Sequence, residues 1–163
     1  MRTRHMMVIA VLELLVGLSL ASARADSATP MASPESGAPT TMTLVERGLH
    51  ITNVDLGASG PSVGDMIVWG PDPLYDETNT TDTGATTQGT CTVLHNGDCL
   101  ATETIVFADG STLQIQGIQA GAPVASTRII IGGSGQYRGA TGTLTVRPTN
   151  DLSVWTKTFA IWP

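Results

Sequence analysis

The feature that most constrains this chain is a strict period of two near its C-terminal end. Ala140, Gly142, Leu144 and Val146 alternate with Thr141, Thr143, Thr145 and Arg147. Successive side chains of a strand point to opposite faces, so this pattern makes a strand with one apolar and one polar face. Just before it, Ile129, Ile130 and Ile131 form a β-branched run, and Gly132, Gly133, Ser134 and Gly135 follow as a turn. Glycines there can take positive φ without steric cost. The stretch Thr127 to Arg147 therefore predicts a β-hairpin in a sheet with two unlike faces.

The same signals recur along the chain. Met42 to Val54 reads as extended, with Leu49, Ile51 and Asn53 on one face and His50, Thr52 and Val54 on the other. Gly57 to Pro61 breaks it. Further strands are predicted at Asp65–Gly70, Thr86–Leu94, Leu100–Phe107, a stretch in which Leu113 and Ile115 alternate with Gln114 and Gln116, Val124–Ile131, Gln136–Arg147 and Leu152–Trp162. Asp109-Gly110 is a hairpin turn signal, and Pro71 to Thr83 reads as a polar loop apart from Leu74 and Tyr75. Eighteen glycines and the absence of an amphipathic helical pattern agree with an all-β chain. Eight strands joined by short connections fit either an up-and-down antiparallel barrel or a two-sheet sandwich.

At 163 residues, one domain of ordinary size is expected. Residues 1–25 have the three parts of a secretory signal: a basic start at Arg2, Arg4 and His5, an apolar run from Met6 to Ala21, and the small residues Ala23 and Ala25 before a cut. Residues 26–41, rich in Ser, Ala, Pro and Thr, read as a flexible lead-in, and residues 42–163 as the barrel domain. The expected location is extracellular, with no membrane attachment once the signal is cut. The net charge of −6 and the single lysine, Lys157, leave no basic stripe for phosphates, so nucleic acid is not an expected partner. His5, His50 and His95 are scattered without metal-ligand spacing, and neither a metal nor an organic cofactor is expected.

Four pieces of sequence resemble a known superfamily, in order and with compatible spacing. Gly64-Asp65-Met66 through Leu74-Tyr75-Asp76, Thr87-Gln88-Gly89-Thr90-Cys91, Leu113 to Gly117, and the GGSGQYRGATG hairpin are similar to segments of allene oxide cyclases and dirigent proteins. The resemblance implies an eight-stranded, calycin-like antiparallel barrel rather than a sandwich, whose open mouth holds a small apolar molecule of lipid, terpenoid or phenolic type. It implies either an isomerase that cyclises its substrate or a dirigent-type guide for coupling. The alternative is a structural or ligand-binding barrel without the chemistry. Plant relatives form trimers, so a homotrimer is one arrangement the resemblance allows.

Residue by residue, Asn53 matches the asparagine that holds a water in the cyclases, and Ser59 lies at the spacing of their serine. Ile51 occupies the place of their charge-stabilising glutamate, which removes that electrostatic contribution. Arg138 matches an arginine of the dirigent hairpin, with Asp76 as an acidic partner. Tyr75, Cys91 and Trp155 complete the candidate ligand contacts as members of the barrel lining.

Cys91 and Cys99 are the only cysteines. Export favours a bridge between them. A two-residue turn on Asn96-Gly97 would pair Cys91 with Thr102 and put the thiols out of register, whereas a bridge calls for a wider loop centred near His95. Asn79-Thr80-Thr81 has the form of a glycosylation sequon.

Overall fold

The computed structural model describes residues 37–163; the predicted signal segment and most of the lead-in lie outside the described residues. Nine strands follow in order: β1 (Thr40–Arg47), β2 (Ile51–Val54), β3 (Met66–Tyr75), β4 (Asp82–Val93), β5 (Cys99–Val106), β6 (Thr112–Gln119), β7 (Ser126–Ser134), β8 (Thr141–Pro148) and β9 (Val154–Trp162). Each pairs antiparallel with its neighbour from β2 through β9, β9 pairs with β1, and β1 returns to β3. The sheet is thereby closed. β1 covers the Leu74–Tyr75 end of β3 while β2 covers its Met66–Trp69 end, so the two share one stave and the nine segments make an eight-stranded barrel. Closure pairs every described strand on both sides except β2, whose one partner is β3.

The predicted strand from Met42 to Val54 is broken where β1 ends. Asp72 supplies the reason. Its Oδ1 accepts hydrogen bonds from the backbone N–H groups of Leu49 (3.2 Å) and His50 (2.9 Å), so the link needs no ladder partner there. Asp72 also corrects the expected loop at Pro71–Thr83: β3 continues through a register shift between Trp69 and Asp72 and carries Leu74 into the core.

The hairpin at the C-terminal end is longer than predicted. Gly132, Gly133 and Ser134 remain in β7, opposite Gln114, Leu113 and Thr112, and Ile131 is squeezed out of the ladder. The turn itself lies at Gly135–Tyr137, a single 3₁₀ turn. Tyr137 folds back on Phe107 with ring centroids 4.6 Å apart.

Along the strands the inward residues change character in the same order. β5 presents Cys99, Ala101, Glu103 and Ile105; β9 presents Trp155, Lys157, Phe159 and Ile161; β7 presents Ser126, Arg128 and Ile130. One end is therefore an apolar plug, built from Leu44, Leu74, Ala85, Ile105, Leu113, Ile115, Ile130, Leu144, Val146, Phe159 and Ile161. A second apolar cluster, Cys91, Cys99 and Ala101 with Ile67 and Trp69, lies separately toward the other end. Between the two, charged side chains meet across the barrel.

Candidate functional site

The unplugged end holds a cavity of about 280 Å³. Its walls are apolar: Ile51 from β2, Ile67 and Trp69 from β3, Cys91 from β4, Cys99 and Ala101 from β5, and Trp155 from β9. Glu46, Arg128 and Lys157 also face it. Gly89 makes room for this wall, because a Cβ there would lie 2.5 Å from the Trp69 ring.

The charged layer is a closed network. Glu103 is fully buried and Lys157 is 1% exposed. Lys157 Nζ donates to Glu103 Oε1 and lies 2.7 Å from Glu46 Oε2. Arg128 Nη2 lies 2.8 Å from Glu103 Oε2, an ion-pair contact rather than a well-aligned hydrogen bond. The Thr87 hydroxyl donates to Glu103 Oε1 at 2.5 Å. Gly117 gives the arginine its space: a Cβ on that glycine would lie 3.0 Å from Arg128 Cγ.

The two carboxylates respond differently. Burial pushes Glu103 up, but Lys157 and Arg128 overcome this and hold it at about 2. Burial also pushes Glu46 up; Lys157 counteracts only in part, and the neighbouring charges of Glu103 and Asp72 add to the rise. The two cations thus favour the ionised form of Glu103, whereas the surroundings of Glu46 shift it toward the protonated form. Among the described residues, no cluster of His, Cys, Asp and Glu has the arrangement of a metal site.

Of the residues singled out from the sequence, Ile51, Asn53, Cys91 and Trp155 come together on this cavity. Three do not. Ser59 is exposed on the loop between β2 and β3. Tyr75 faces outward beneath the Arg47 guanidinium, 3.7 Å from its ring centre, because the register shift in β3 changes which residues look inward. Arg138 is exposed at the turn after β7, at the plugged end. Asp76 likewise caps its own turn, accepting from Thr80 N–H at 2.9 Å. The charged residues that line this cavity, Glu46, Arg128 and Lys157, come from strands other than that of Ile51.

Cys91 and Cys99 are bridged, with Cα atoms 5.5 Å apart. Neither register considered from the sequence is the one adopted. Val93 pairs with Cys99 and Cys91 with Ala101, which keeps both cysteines on the inner face, offset diagonally. The loop still uses Asn96-Gly97, closing with hydrogen bonds from Leu94 N–H to Asp98 C=O and from Gly97 N–H to Leu94 C=O. One extra loop residue reconciles turn and bridge.

Sequence reasoning missed Glu46, Glu103, Arg128 and Lys157. The signal was parity. Each is a charged residue on the inward phase of an alternation otherwise made of apolar or small residues, and Lys157 is the only lysine in the chain.

The described residues thus form a closed antiparallel barrel with an apolar plug toward one end and a charge-floored cavity of about 280 Å³ toward the other. The sequence model of the family described as Dirigent-like protein matches residues 33–160, and the chain belongs to that family. Solved structures with the same fold include a pyocyanin demethylase, 23% identical with a TM-score of 0.64, covering 76% of this chain and 100% of that one. A pterocarpan synthase dirigent protein is 18% identical with a TM-score of 0.63, covering 75% of this chain and 83% of the other. The Diels–Alderase AbmU from Streptomyces koyangensis is 18% identical with a TM-score of 0.57, covering 77% and 69%. A comparison with curated proteins finds no match.

Proposed function

We propose that this chain is an exported barrel that takes a small, largely apolar organic molecule of lipid, terpenoid or phenolic type into the mouth cavity. The bound molecule is either cyclised there or held for stereochemically guided coupling. The observation that carries this reading is the meeting of apolar walls with a charged floor in one cavity of about 280 Å³. Walls of this kind bind by area, and a floor of fixed charges orients the one polar end of a ligand. Cyclases and dirigent proteins among the structural relatives agree with it. Burying about 200 Å² of ligand at 25 cal/mol per Å² provides roughly 5 kcal/mol, a dissociation constant on the order of 100 μM.

A barrel that binds without catalysing is favoured by a different observation: Glu103 is already engaged by Lys157, Arg128 and Thr87, leaving only Glu46 free to exchange a proton. Titration with the apolar fluorophore N-phenylnaphthylamine tests binding, because Trp69 and Trp155 line the cavity and their emission transfers to the probe. Saturable one-site binding is expected. Emission that rises linearly without saturating would overturn the reading.

A further inference from the structure

Four ionisable side chains form one network at the cavity, three of them lining it, and their roles are unequal. Glu103 is anchored by three partners, Lys157, Arg128 and Thr87, and does not reach the cavity. Glu46 does reach the cavity, and its one ionic contact is Lys157 Nζ at 2.7 Å. Lys157 therefore has one permanent carboxylate partner and one replaceable partner. With Glu46 ionised, two cations face two anions and the floor has no net charge to offer an incoming anion. With Glu46 neutral, the floor carries one positive charge beneath apolar walls.

We propose that the cavity binds an apolar molecule ending in an ionised acid group together with one proton, the proton going to Glu46 and the acid group replacing Glu46 as the second partner of Lys157. The step balances. One anion and one proton enter, no bond other than the new carboxyl O–H is made, and the floor remains neutral with the ligand in place. This inference rests on the reading of the cavity as a ligand site and names the head group that the site prefers. By linkage, the anion must favour protonation of Glu46 as strongly as that proton favours the anion.

The surroundings of Glu46 agree. Lys157 from β9 contacts it, Glu103 from β5 and Asp72 from β3 lie close enough to raise it, and Arg128 from β7 lines the same cavity while pairing with Glu103. Asp72 is fully buried, and the exposed His50 sits against its Oδ1 at 2.7 Å. On its own strand, the neighbouring Arg47 turns outward over Tyr75. Burial and the two nearby carboxylates raise Glu46 above its ordinary value, against the pull of Lys157, and so favour its protonated form.

Two probes with the same apolar body separate the possibilities: anilinonaphthalene sulfonate, whose sulfonate stays ionised, and neutral N-phenylnaphthylamine. Between about pH 8 and about pH 5 the anionic probe is expected to bind roughly tenfold or more tightly, while the neutral probe stays constant. Glu46→Gln is expected to hold the anionic probe tightly at both pH values. His50→Gln, which alters the exposed imidazole against Asp72, is expected to keep the wild-type response. An anionic probe that ignores pH overturns the proposal, as does a parallel rise of the neutral probe, which would report a loosened fold. A pH response that survives in Glu46→Gln or vanishes in His50→Gln also overturns it. If neither probe binds, the ligand site itself is refuted and this inference falls with it. If the neutral probe binds and the anionic one shows no pH response, only the inference fails.

Discussion

Replacing Lys157 by methionine is expected to destabilise the barrel strongly, even though the substitution adds apolar bulk to a buried position. Lys157 is 1% exposed and joins Glu46 to Glu103. Breaking a buried ion pair by removing one partner typically costs about 3–5 kcal/mol, because the other charge is left uncompensated. Here the loss should fall near the lower limit, about 3 kcal/mol, since Glu103 keeps Arg128 and Thr87 and Glu46 can take up a proton. In urea a slope of roughly 1–3 kcal/mol per M turns this into a midpoint lower by about 1–3 M at neutral pH. The double variant Lys157→Met with Glu46→Gln leaves Arg128 balanced against Glu103, and should recover at least about 1 kcal/mol relative to the single variant. A midpoint shift below about 0.5 M at unchanged slope would refute the reasoning. So would a double variant whose losses simply add, because residues of one network must couple.

Acid should weaken the fold through Glu103, whose folded value of about 2 lies below its ordinary 4.5. Its contribution, roughly 3 kcal/mol, is present in full above about pH 4.5 and is lost as pH falls from there through about 2. Glu46 has the opposite sign, so the acid limb of a stability–pH curve should flatten in Glu103→Gln. Reduction of the Cys91–Cys99 bridge should lower stability by roughly 2–3 kcal/mol, read as the difference between unfolding curves with and without reductant. N-terminal sequencing of the protein from culture medium should find Asp26 first; a chain that keeps Met1 would contradict export.

The barrel was legible because alternation survives in much of the half-buried sheet, as in Leu113 to Gln116 and Ala140 to Arg147. What escaped depends on side chains acting at a distance along the sequence. Asp72, in what reads as a proline-rich polar loop, organises the break between β1 and β2 from 22 residues away. The charged floor brings together Glu46, Glu103, Arg128 and Lys157 from four strands; parity marks each as inward, but which inward charges meet depends on strand pairing that lies far apart in sequence. The cavity wall was half visible: Ile51 and Asn53 share a strand phase, and Trp155 follows from alternation in β9. Tyr75 was misplaced because a register shift exchanges inner and outer faces, and such shifts leave little trace in sequence.

Filling the cavity without disturbing the charged floor tests the central claim most directly. Ala101 is 1% exposed, lines the cavity and belongs to the smaller apolar cluster away from the plug. An Ala101→Phe side chain should occupy the space a ligand would take. Titration of this variant with N-phenylnaphthylamine should show affinity reduced by roughly tenfold or more, with the urea midpoint close to that of the wild type. Undiminished binding in a well-folded Ala101→Phe protein would place the ligand elsewhere and contradict the assignment of this cavity as the site.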